Sequence, residues 1–242
     1  MRAIGLIVFI CAVLVYYLVN VYVSFFDNIR IANLAPPISK STYHIGKSTG
    51  EKKTFIFLGD SLTAGVGTTS ITNTIPYQTT QILAQNNNVT VRTFGYPGAR
   101  VNSILLVSKQ QKNEKSDLTV IFIGINDVFN RTPVKEFSQD LETIVANMKL
   151  SSTKIVLISL PFLGTNSSIP FPYDFLYNFQ LNRYNNEIKT VADNNNLQLI
   201  DLYQLTNGKL SDPSLFASDA FHPSDRGYIL IADIIAKELK KE

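Results

Sequence analysis

The stretch Lys53–Gly67, KTFIFLGDSLTAGVG, decides the fold. Thr54 to Leu58 are β-branched, aromatic or apolar, the composition of a buried strand. Gly59, Asp60 and Ser61 end that run, and small residues with two more glycines follow. A strand that stops on a glycine, a carboxylate and a hydroxyl either makes a plain turn or presents a serine for chemistry. The second alternative needs partners elsewhere in the chain.

Working outward, similar short runs recur at 89–94 (VTVRTF), 118–123 (LTVIFI), 154–160 (KIVLISL) and 197–202 (LQLIDL). Helical patterns lie between them near 75–86, 100–112, 134–149 and 178–195, with a last one near 224–241. Strands alternating with helices predict an α/β domain, a flavodoxin-like three-layer sandwich around a five-stranded parallel sheet. No internal repeat interrupts this order. Ligands of such sheets bind beyond the carboxyl ends of the strands. The residues that follow each strand are therefore the place to look for function.

Upstream, Ala3 to Phe26 carries no charge. At ~1.5 Å per residue, a helix of this length crosses a hydrocarbon core of about 30 Å. A cleaved signal would have an apolar region of about 7–15 residues and a small-residue cleavage site. Here the run is longer and no A-x-A follows, so the expectation is an uncleaved single-pass membrane anchor. Tyr22 sits where an interfacial ring belongs. Charges on the two flanks nearly balance, and a large domain behind a first apolar segment is expected to be extracytoplasmic. The expected partition is a tail and anchor over 1–27, a linker over 28–52 and the α/β domain over 53–242.

Composition narrows the chemistry. A net charge of +3 over 242 residues, without a basic run, argues against nucleic acid as a partner. The single cysteine, Cys11, rules out an intrachain disulfide and a Cys-cluster metal site. There are two histidines, His44 and His222. His44 falls in the linker, with no acid or nucleophile near it in sequence, so a His-dependent mechanism points to His222.

Four sets of residues follow the strands or precede the last helix: Gly59-Asp60-Ser61-Leu62, then GYPGAR from Gly95 to Arg100, then Gly124-Ile125-Asn126-Asp127, and finally Asp219-Ala220-Phe221-His222-Pro223. A parallel sheet sets the first three along one edge, and the fourth can fold onto it. Singly these motifs are weak; together, in this order, the chain resembles the GDSL, or SGNH, hydrolases over Gly59–Pro223. Within that family, GDSLTAG with GIND and DAFHP is most similar to the lysophospholipase L1 and thioesterase-like esterases.

The chemistry can also be argued from the residues. A serine hydroxyl needs an adjacent base, and an imidazole, with a reference pKa of about 6.5, suits proton shuttling. Asp219, three residues before His222, can fold back onto Nδ1 and fix the tautomer. Pro223, Ser224 and Asp225 mark a helix start that would hold His222 at a firm junction. The resemblance implies a catalytic Ser61, Asp219 and His222, with an oxyanion hole from Ser61 N–H, Gly98 N–H and the Asn126 amide. Gly95 competes with Gly98 for that role.

Asp60 and Asp127 are open to a metal-ligand interpretation, but no further acids cluster with them, and turn or N-cap bonding fits both. No metal and no cofactor is expected. GVGTTS at 65–70 lacks the dinucleotide and P-loop patterns, and G-x-S-x-G is absent. The aromatic segment 161–179 either walls an acyl pocket or packs over the sheet. N-x-[ST] matches at Asn88, Asn130 and Asn166 are expected to be chance. The expected activity is a membrane-anchored serine esterase acting on acyl or acetyl esters of lipids or envelope glycans. An acyltransferase with the same acyl-enzyme and a catalytically silent binding domain are the alternatives.

Overall fold

Alternating apolar runs and helices assemble into a twisted sheet with helices on both faces. The computed structural model describes residues 2–32, 42–162 and 173–241. In chain order the elements are α1 (Arg2–Ala32), β1 (Thr42–Gly46), β2 (Lys52–Gly59), α2 (Ser61–Ala64), α3 (Ile75–Ala84), β3 (Asn88–Gly95), α4 (Val101–Gln111) and β4 (Ser116–Phe122). They continue with α5 (Ile125–Asn130), α6 (Val134–Lys149), β5 (Ser152–Ile158), α7 (Tyr173–Asn194), β6 (Gln198–Ile200), α8 (Leu202–Thr206) and α9 (Asp225–Leu239).

The sheet order is β1-β3-β2-β4-β5-β6. β3, β2, β4, β5 and β6 are mutually parallel and correspond to the five expected strands. Their order is the flavodoxin-like 2-1-3-4-5. Among the described residues the sheet nevertheless has six strands, because β1 pairs antiparallel with β3, Thr42 opposite Arg92 and Gly46 opposite Asn88. The linker expectation for 28–52 is corrected over that stretch. Tyr43 and Ile45 turn inward against the core, and Tyr43 stacks on Tyr77 of α3 at 5.9 Å. His44 points outward and shares a 3.2 Å hydrogen bond with Thr90 Oγ1.

The central strands are apolar on both sides because both sides are covered. Ile56, Leu58, Val120, Ile121, Val156 and Leu157 are all buried. α3 and α9 pack together on one face, while α4, α6 and α7 pack in a row on the other. α6 shows why: Phe137, Leu141, Ile144, Val145 and Met148 recur at helical spacing and are buried. Each contributes about 1.5–3 kcal/mol relative to exposure.

α1 runs past the expected end of the apolar segment, to Ala32. Ala3–Ser24 is long and apolar enough to cross a membrane, and none of it is buried inside the protein. It is therefore not a core helix; its length and composition fit a membrane span or a signal sequence.

Candidate active site

β2 ends at Gly59, and Asp60 caps the short helix that follows, its Oδ1 accepting the Leu62 N–H at 3.0 Å. Ser61 is thus the first helical residue, where a backbone N–H has no intrahelical acceptor. The turn is tight. A side chain on Gly95, at the end of neighbouring β3, would meet Ala64 N at 2.3 Å, so that glycine is consumed by the packing of α2 against β3. Gly98 occupies a different situation. Ala99 N–H donates to Tyr96 O at 3.0 Å around Pro97 and Gly98, and Gly98 has φ +75°. That is a type II turn, whose third residue needs positive φ.

β4 leads through Gly124 into α5, which carries Asn126 and Asp127 in its first turn. Asn126 is buried and donates through Nδ2 to Ala99 O at 3.0 Å, tying it to the Gly98 turn. Asp127 Oδ2 accepts the Val101 N–H at 2.9 Å, so it caps the start of α4 instead of its own helix. Burial raises the Asp60 carboxyl to about 7; the Leu62 N–H opposes this and the Asp127 charge adds to it. Burial likewise raises Asp127 to about 6 against the pull of the Val101 N–H. Among the described residues no three His, Cys, Asp or Glu side chains converge as a metal site.

The fourth set forms a self-contained turn before α9. Asp219 Oδ1 accepts the N–H groups of Phe221 and His222 at 2.8 and 2.9 Å, and Oδ2 lies 2.8 Å from His222 Nδ1. Burial disfavours the Asp219 carboxylate, but these hydrogen bonds together outweigh it and hold the carboxyl below its ordinary value. An ionised carboxylate only accepts, so Nδ1 carries a proton, and in the neutral ring Nε2 is the nitrogen with the free lone pair. Nε2 is buried and has no hydrogen-bond partner among the described residues. Ala220 sits at φ +56°, a left-handed position that costs roughly 1–2 kcal/mol. Ala217 N–H to His222 O and Ala220 N–H to Ala217 O close the turn around it.

Ser61 and this turn face a common cavity. Ser61, Phe221, Pro223, Pro161 and Phe216 line one apolar cavity of about 30 Å³. Ser61 and His222 are 2% and 0% exposed. Two supports gave no signal in the sequence. Tyr228 of α9 donates its hydroxyl to Val66 O at 2.7 Å and reaches Ser61 O at 3.3 Å. Gly67 backs directly onto the histidine turn, where an added Cβ would lie 3.1 Å from His222 Cβ and 2.7 Å from Pro223 O. Of the aromatic segment 161–179, residues 163–172 lie outside the described residues. Asn166 lies there too, while Asn88 and Asn130 donate internally to Ser48 O and Asn126 O.

Ser61 after β2 and the acid–imidazole turn before α9 thus open on one cavity, an arrangement suited to ester hydrolysis. The model of the GDSL-like lipase/acylhydrolase family matches residues 57–230, and the chain belongs to that family. A lipase/acylhydrolase from Enterococcus faecalis is similar, at 25% identity and a TM-score of 0.60, over 78% of this chain and 96% of its own. The acetylxylan esterase Axe2 of Geobacillus stearothermophilus shares the fold at 21% identity and a TM-score of 0.64, covering 81% and 98%. So does a lipolytic protein of the G-D-S-L family from Veillonella parvula, at 17% identity and 0.63, covering 79% and 100%. A search of curated proteins by sequence finds no match.

Proposed function

We propose that the chain is a membrane-anchored serine esterase in which Ser61 is the nucleophile, His222 the base and Asp219 its orienting acid. The observation that carries this is the state of His222: Nδ1 is engaged by Asp219 and Nε2 is left open, in the turn that shares a cavity with Ser61. Ser61 Oγ attacks the ester carbonyl carbon while its proton passes to His222 Nε2. The oxyanion is held by Ser61 N–H, Gly98 N–H and the second Asn126 amide hydrogen. On collapse the C–O bond breaks and the leaving alkoxide takes the proton from His222. Water then repeats the sequence on the acyl-enzyme.

The hydrolase unit is assigned to 53–242 with β1 as an added edge, and α1 to an uncleaved anchor that leaves the unit extracytoplasmic. The cavity beside Ser61, at about 30 Å³, has room for one or two small groups on the scale of a water. This favours a short acyl group such as acetyl over a long chain.

Ser61→Ala is expected to abolish covalent labelling by a fluorophosphonate, and undiminished labelling refutes the assignment. In a nitrophenyl ester series, kcat/KM is expected to be highest for acetyl and to fall with chain length. A maximum at eight or more carbons would overturn the acyl-size argument and leave the nucleophile standing.

A further inference from the structure

A second concavity lies at the same end of the sheet. A pocket of about 530 Å³ opens between α5, the start of α6 and the first half of α7, within the range of small-molecule sites. Its apolar wall includes Phe129, Leu176 and Tyr177, its cationic part is Arg131 and Arg183, and Tyr22 of α1 lines one side. Among the described residues, neither guanidinium lies within ion-pair distance of a carboxylate; Arg183 donates instead to Gln180 Oε1.

The rim is unusual for a surface in water. Phe175, Leu176 and Phe179 of α7 are 68%, 50% and 59% exposed. At about 100° per residue, these three and Arg183 fall within a single stripe of roughly 100° on the helix. An exposed apolar stripe on a helix, with an arginine whose stem can snorkel from it to the headgroups, suits a lipid interface. The position agrees with the chemistry. Tyr22 stands in the last turn of the apolar stretch Ala3–Ser24, so the pocket it lines lies at the level where that stretch ends.

We propose that this face docks on the surface of the bilayer that holds α1, with Phe175, Leu176 and Phe179 entering the headgroup boundary and Arg131 and Arg183 meeting anionic lipid headgroups. The proposal rests on α1 being retained as an anchor and is independent of the esterase chemistry. Ring contacts link the docked face to the candidate site: Tyr177 on Phe129 at 5.0 Å, Phe129 on Phe221 at 5.5 Å, and Phe221 on His222 at 5.0 Å. Docking would hold the crevice at a fixed height above the lipid.

The test uses the full chain with Cys11→Ser, carrying a nitroxide at either Phe179→Cys or Lys112→Cys, in vesicles of phosphatidylcholine with or without phosphatidylglycerol. Lys112 caps the end of α4, four residues before β4 begins, and so lies at the end of the sheet opposite the strands' carboxyl ends. With phosphatidylglycerol, the ratio of oxygen to nickel-chelate collisions at 179 is expected to exceed that at 112 several-fold. Adding Arg131→Gln and Arg183→Gln is expected to bring the ratio down toward that at 112. Equal ratios at 179 and 112 in a membrane-retained chain overturn the docking face. A ratio unmoved by the arginine changes overturns the headgroup contact. Release of the chain by carbonate overturns anchor and docking together. Hydrolysis of a soluble nitrophenyl ester, measured on the same samples, reports separately on the esterase assignment.

Discussion

Replacing Asp60 by asparagine should change how stability depends on pH, by an amount the structure sets. The asparagine amide oxygen can still accept the Leu62 N–H, so the cap on α2 survives while the titratable proton is removed. In the folded protein burial raises the carboxyl from an ordinary 3.8 to about 7, while in the unfolded chain it titrates near 3.9. Between about pH 4 and pH 7 the native state therefore binds more protons than the unfolded state, and stability falls as pH rises. Below pH 4 both states are protonated and the contribution is complete. Three pH units at about 1.36 kcal/mol each give about 4 kcal/mol lost across the window. With a urea slope near 2 kcal/mol/M, that is a midpoint shift of about 2 M. The assay is urea unfolding of residues 42–242 by circular dichroism at pH 4, 6 and 8. Asp60→Asn should drop less than the parent from pH 4 to pH 8, and at pH 8 should be the more stable. Parallel declines in the two proteins would mean that the buried carboxyl ionises normally, and the desolvation argument would fail.

Two further outcomes follow from the same geometry. Asp219→Asn should lower kcat/KM by about 10³–10⁴-fold, because an amide no longer fixes the imidazole tautomer. A loss under tenfold in steady-state assays would remove Asp219 from the mechanism. Tyr228→Phe should destabilise by about 1–3 kcal/mol, since the buried Val66 carbonyl loses its donor. A urea midpoint equal to the parent's would show that this bond contributes nothing.

Much of the fold was legible because both faces of the central sheet are covered, which writes β2, β4 and β5 as largely apolar runs. β1 was not legible for the opposite reason. Its five residues alternate between exposed and half-buried, and a short polar edge strand is defined by its partner β3 more than by its own composition. The positions of the candidate residues were legible because each follows a strand or precedes a helix, where local sequence and place in the fold coincide. What could not be read was contact at long range. Tyr228 reaches Val66 across 162 positions, and nothing near either residue announces it. Sequence also left Gly95 and Gly98 as rivals. Only the approach of Ala64 to Gly95 reveals that one of them is a packing glycine.

The edge strand has a mechanical consequence. By drawing Thr42–Gly46 into the sheet, it leaves only residues 33–41 between the end of α1 and the folded unit. With α1 retained as proposed, the folded unit would meet substrates that are themselves held at the membrane surface at a raised effective concentration.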